Sequence, residues 1–120
     1  MDYYVYMVLC GDGSIYTGTA KEYLRRIGAH ATHAPECAKY TRSRNVASVV
    51  GLWRCDSKSS ALKYEYAIKR LSHAEKVRLT NTPSVLGVTL LDGISEAIPT
   101  PLPLPTLEEC IEAVRSTVKI

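Results

Sequence analysis

Arg26 and His30 stand four residues apart, which sets both side chains on one face of a helix running from Glu22 to Ala31. A guanidinium is always charged and grips phosphate oxygens two at a time, which a lysine cannot do. Glu65 falls between Ala61, Tyr64 and Ile68, the apolar stripe of a second helix, so its carboxylate sits near the buried boundary. A carboxylate there is costly unless it is paired or ligates a cation. Tyr6 and Tyr16 are phenols with a free pKa of about 10, so either acts as a base only with help from a cation or a second phenol. Each residue also has a plainer reading. Arg26 would be a surface charge on an amphipathic helix, and His30 a C-terminal helix residue facing the dipole. Glu65 would pair with Lys69 at i+4, worth only about 0.2–0.5 kcal/mol. The tyrosines would be ordinary strand formers in a chain with 8 Tyr and no Phe.

The elements that must bring these groups together begin with a β-hairpin. Tyr3 to Leu9 and Ser14 to Gly18 read as its two arms around Cys10-Gly11-Asp12-Gly13. Alternation puts Val5, Met7 and Leu9 on one face and Tyr4, Tyr6 and Val8 on the other. With the turn centred on Asp12, Tyr6 and Tyr16 become diagonal neighbours on one face. The expectation is that aliphatics enter the core and phenols line the other surface. The valine-rich stretch from Val46 to Cys55, with Trp53, reads as a third, well-covered strand, and Lys58 to Leu71 as the second helix. Ser72 and Glu75 have capping-box spacing and open a helix to about Leu79. Val85 to Leu91 is apolar and reads as a short strand or an extended segment covering the core. Pro99, Pro101, Pro103 and Pro105 alternate as in a polyproline-like linker. Thr106 and Glu109 cap a last helix to about Val118, whose stripe Leu107, Ile111 and Val114 should dock on something. There is no internal repeat.

Hairpin, helix, strand and helix in this order, with these residues, resemble the GIY-YIG nuclease superfamily. Tyr4-Val5-Tyr6 stands where the family writes G-I-Y, and Tyr16-Thr17-Gly18 where it writes Y-I-G. Thr19 to His30 looks like its first helix, with Arg26 and His30 in register. Ala38 to Arg42 and Ile68 to Ser72 resemble blocks of the small stand-alone members. The likeness spans residues 3–80, and five blocks in order are far more specific than any one tripeptide. Tyr4 departs from the family's glycine and Thr17 from its aliphatic residue.

The resemblance implies an α/β fold, a small three-stranded antiparallel sheet flanked by helices. Residues 1–80 would form the nuclease domain, and residues 81–120 a C-terminal extension without counterpart. It also implies a divalent-metal-dependent endonuclease hydrolysing DNA phosphodiester bonds, with a place in DNA repair or recombination. Tyr6, Tyr16, Arg26, His30 and Glu65 would be the catalytic set, with Glu65 the single protein ligand. One carboxylate completed by waters and substrate phosphate suits Mg²⁺, or Mn²⁺ in its place. Tyr6 would be the general base or a proton relay. Gly18 would let a phosphate approach the backbone, or is simply a strand-end glycine. Lys21, Arg25, Lys39, Tyr40, Arg42 and Arg44 would hold flanking phosphates or stack on a base.

Composition bounds the alternatives. At 120 residues, with 46% hydrophobic and 22% charged residues, the chain fits one globular domain. No run approaches the roughly 20 apolar residues of a membrane span, and Met1-Asp2-Tyr3 shows no signal-peptide pattern, so a reducing cytoplasm is expected. Cys10, Cys37, Cys55 and Cys110 are scattered, which argues against disulfides. His30, His33 and Cys37 are too few for structural zinc. The net charge of +3 is uneven: residues 1–80 carry 13 Lys/Arg against 7 Asp/Glu, whereas residues 81–120 carry 2 against 5. The basic part is the candidate for meeting a polyanion. One rival to hydrolysis remains open, a DNA-binding module that keeps the fold without turnover; a partner or homodimer surface formed by the C-terminal extension is compatible with either.

Overall fold

The computed structural model of the protein describes residues 2–32, 45–85 and 98–118. The first strand, β1 (Tyr3–Cys10), turns into β2 (Ile15–Ala20), with Leu9 opposite Ile15 and Asp12 at the centre. Gly13 takes the left-handed φ of 87° that closes the turn, where a side chain would be strained. The Asp12 carboxylate accepts from the Ser14 amide at 3.0 Å, an Asx-type clamp. Helix α1 (Tyr23–Ala31) follows, then β3 (Val46–Cys55), α2 (Lys58–Lys69) and α3 (His73–Asn81). A 3₁₀ turn (Pro83–Val85), a short β4 (Thr100–Pro101) and α4 (Leu107–Val118) complete the chain.

Local chemistry explains the helix starts. The Ser57 hydroxyl accepts from the Ser60 amide ahead of α2. Ser72 and Glu75 form the expected reciprocal capping box ahead of α3. Thr106 and Glu109 do the same for α4, with amide-to-side-chain bonds of 2.8 and 3.1 Å. Helix α2 stops at Lys69 rather than Leu71, and α3 runs two residues past Leu79. The amides of Arg70 and Leu71 turn back to Ala67 and Ile68 in a 3₁₀-like closure.

The sheet is antiparallel with strand order β2-β1-β3-β4, so it has four strands rather than the expected three. The fourth comes from the proline-rich segment: Thr100 pairs with Arg54 and Pro101 with Trp53, and the Leu102 amide donates to the Leu52 carbonyl at 3.0 Å. Proline is tolerated at a sheet edge because its missing donor faces outward. This segment is therefore docked, at least from Thr100 to Leu102, and is not a free linker there. Of the expected extended run from Val85 to Leu91, residues 86–91 lie outside the described part.

Neither sheet face is open, contrary to the expectation of phenols on a free surface. Both are cores. Val5, Met7, Ile15, Trp53 and Cys55 pack under Ala61, Tyr64 and Ile68 of α2 and Leu79 of α3. On the other face Tyr6, Val8, Val49 and Leu52 pack under Ile27 of α1 and Cys110 of α4. The phenol face is not an open surface: Tyr6 is 1% exposed. With no Phe in the chain, tyrosine fills an interior aromatic position. Helix α4 does dock, and it docks on α1 of its own chain. A Cβ on Gly28 would collide with the Cys110 carbonyl oxygen and the Val114 methyl, so glycine permits that close crossing.

Candidate active site

Three rings meet on the α1 face of the hairpin. Tyr6 and Tyr16 lie diagonally, since Tyr6 pairs with Gly18 and Val8 with Tyr16, and their ring centroids are 6.4 Å apart. His30, fully buried in the last turn of α1, sits 5.7 Å from the Tyr6 ring and 5.2 Å from that of Tyr16. The Tyr6 hydroxyl and His30 Nε2 are 2.7 Å apart. Gly18 makes this possible. An ideal Cβ there would lie 2.5 Å from Tyr6 Oη, 2.7 Å from its Cζ and 3.1 Å from Tyr16 Cε2. The glycine leaves room for a phenol, which is a firmer role than a strand-end position.

Charges converge on the same phenol. Burial, then Tyr16, then Glu65 push the Tyr6 pKa well above its usual value, while Arg26 opposes them through its charge and a hydrogen bond. Tyr16 is half-buried and also pushed up, chiefly by burial, with Lys69 and Arg26 pulling down and Glu65 pulling up. Burial, helped by the Arg26 charge, lowers His30 to about 4. At neutral pH the pair is therefore a protonated phenol and a neutral imidazole. The hydroxyl must donate and Nε2 must accept, which leaves the imidazole proton on Nδ1.

Glu65 enters from α2. Its side chain is 17% exposed, and Oε2 pairs with Lys69 Nζ at 3.1 Å. The same ammonium stands 5.6 Å from the Tyr16 ring centroid. The structure thus realises the plainer expectation for Glu65 and also places that carboxylate in the field of both phenols. In the sequence the i+4 spacing marks Lys69 only as a neutralising partner of Glu65. Among the described residues no group of three or more His, Cys, Asp or Glu is placed to hold a metal ion. A mostly buried carboxylate beside phenols nevertheless fits a hard divalent cation completed by water and phosphate oxygens.

Lys21 and Arg25 are exposed and line an open cavity of about 610 Å³ together with Arg26, Glu22, Tyr3 and Thr19. The cavity reaches the α1 residue that acts on Tyr6, and three lining cations against the single carboxylate of Glu22 favour an anionic occupant. Lys39, Tyr40, Arg42 and Arg44, along with His33 and Cys37, lie outside the described residues.

Residues 2–78 match the family model of the GIY-YIG catalytic domain. The chain belongs to the GIY-YIG family. A UPF0213 protein of Fusobacterium nucleatum is 42% identical over 83 residues, which is 69% of this chain and 81% of the relative. One from Natronomonas pharaonis is 46% identical over 78 residues, 65% of this chain and 89% of the relative. A solution NMR structure of a UPF0213 protein from Bacillus halodurans is 37% identical, with a TM-score of 0.43, over 81% of this chain and 100% of that one. GIY-YIG is a nuclease family, and the first three strands and first two helices of this chain lie within the match. Among the described residues no helix is long and apolar enough to cross a membrane.

Proposed function

We propose that the chain is a divalent-metal-dependent endonuclease that hydrolyses phosphodiester bonds in DNA. The observation that supports this most is one buried phenol, Tyr6, hydrogen-bonded to neutral His30 and acted on by Arg26, Tyr16 and Glu65 at once. Arg26 binds the phosphate and offsets charge that develops on the phosphorane oxygens. The oxygen of the attacking water bonds to phosphorus, the P–O ester bond breaks, and the departing oxygen takes a proton from solvent. Tyr6 orients that water and takes its proton, passing its own hydroxyl proton to His30 Nε2. That transfer is uphill in the resting site, since burial and Arg26 disfavour an imidazolium. The negative charge of the transition state offsets that penalty, so the relay runs when phosphate is in place. Glu65 would hold the divalent ion, which would supply positive charge to offset the charge developing on the phosphorane.

Lys21 and Arg25 carry the flanking backbone, with Lys39, Tyr40, Arg42 and Arg44 as further contacts. The nuclease unit is residues 1–80, and residues 81–120 are an extension. The gap between the family match, which ends at residue 78, and α4 supports that division. Work on DNA in repair or recombination, in the cytoplasm, is the setting that fits such an activity.

The test is cleavage of plasmid and branched DNA with Mg²⁺. Tyr6→Phe and Glu65→Ala should each cut turnover by about 10²-fold or more. Turnover that survives both substitutions removes the assignment. Salt-sensitive DNA binding without any cleavage would select the non-catalytic module instead.

A further inference from the structure

We propose that Lys69 is the resident counter-cation of the divalent-ion site: its ammonium occupies the Glu65 carboxylate until the ion displaces it, so that ion and nucleic acid load together. This rests on the reading of Glu65 as the ion's ligand.

The two groups have unequal surroundings. Glu65 is 17% exposed and Lys69 48%, so the carboxylate is held by its surroundings while the ammonium keeps access to water. A partly buried carboxylate beside two phenols needs a positive neighbour before any ion arrives, and Lys69 supplies it at 3.1 Å. The stem is suited to leaving. Lysine is a compact charge on a flexible four-carbon chain, whereas an arginine fork would grip both carboxylate oxygens and yield less easily. From the paired position Nζ also stands 5.6 Å from the Tyr16 ring, so a neighbouring π-face would keep the ammonium company once the carboxylate is taken.

A divalent ion on Glu65 would strip Lys69 of its partner and set two positive centres close together. That arrangement is unfavourable until an anion enters, and the substrate phosphate is the anion this site is built to admit. Lys69 therefore weakens ion binding to the empty site and couples it to phosphate binding, a reciprocal linkage.

Mn²⁺ binding to the full chain, measured by isothermal titration without nucleic acid, tests the idea apart from turnover. Lys69→Met should bind Mn²⁺ roughly tenfold tighter than the unsubstituted chain, within the usual range of site coupling. Lys69→Arg, which keeps the charge, should bind no tighter. Unchanged or weaker binding by Lys69→Met, including no binding by either protein, overturns the proposal. Equal tightening by Lys69→Met and Lys69→Arg overturns it too, because charge would then not be the cause. Glu65→Gln should abolish binding in both backgrounds. If instead Glu65→Gln binds like the unsubstituted chain, the ion-site reading itself fails, a result separate from that of the Lys69 variants.

Discussion

The two faces of the sheet are equally buried and carry different chemistry. Under α2 and α3 the interior is mainly aliphatic and indole, with Val5, Met7, Trp53, Ala61 and Ile68 all at 0% exposure and Tyr64 buried among them. Under α1 and α4 an equally buried phenol and imidazole are bonded to each other. The first face stabilises the fold by apolar burial and close packing. The second accepts the cost of buried polar groups and offsets it with one short hydrogen bond and a nearby guanidinium. A polar group buried with its partner beside a cluster of cations is positioned for proton transfer; one buried without a partner is only a cost. Matched substitutions on the two faces should therefore separate activity from stability.

The largest contrast should come from Gly18→Ala against Ile68→Val. The new Cβ would press on Tyr6 Oη and Cζ, and Tyr6 cannot swing away without breaking its bond to His30. Such overpacking costs about 1–3 kcal/mol. A phenol displaced by an ångström should lower DNA cleavage by about 10²-fold. Ile68→Val, on the other face, should cost about 1 kcal/mol and leave turnover near its starting value. Urea unfolding with a plasmid-cleavage assay on both variants checks this. Equal loss of activity from both would mean that the phenol face is not the reactive one.

A smaller contrast lies in pH. Folding lowers the His30 pKa from 6.5 to about 4, so the unfolded chain binds this proton more readily than the folded one. Stability from His30 is thus fully present above pH 6.5 and is lost as pH falls toward 4, by up to about 3 kcal/mol. His30→Gln keeps an acceptor for the Tyr6 hydroxyl but removes the titration. Chemical denaturation from pH 7.5 to 4.5 should give a shallower decline for this variant. Parallel slopes would show that the imidazole ionises freely in the folded protein.

The sequence made the hairpin legible because period-two alternation and an Asp-Gly turn leave little choice of register. Tyr6 and Tyr16 are diagonal as that register requires. The capping boxes at Ser72 and Thr106 were equally readable, since they depend on local spacing alone. Less visible was anything that depends on what lies across a gap. Tyr6 is buried on the face that α1 and α4 share, and the crossing of those two helices depends on Gly28, a residue with no side chain to suggest it. The pairing of Thr100 and Pro101 with β3 was hidden because alternating prolines look alike in a linker and at a sheet edge. Of the site, the residue types were legible and the pairings less so. His30 could be read as a helix-end residue, but its bond to Tyr6 needed the fold.

Thr17 gives the smallest and most discriminating prediction. It lies on the aliphatic face opposite Met7, is 2% exposed, and its hydroxyl has no hydrogen-bond partner among the described residues. The family writes an aliphatic residue at this position. A buried hydroxyl without a partner costs about 1–3 kcal/mol relative to a satisfied one. Valine has the same branched shape and no donor, so Thr17→Val should stabilise the protein by about 1 kcal/mol. The neighbouring phenols point to the opposite face, so cleavage should be unchanged. Thermal and urea unfolding measure the first effect, and the plasmid assay the second. If Thr17→Val destabilises the chain, the hydroxyl has a partner and the aliphatic face is not uniformly apolar. If cleavage falls while stability rises, the two faces communicate through β2, and the division of labour between them is wrong.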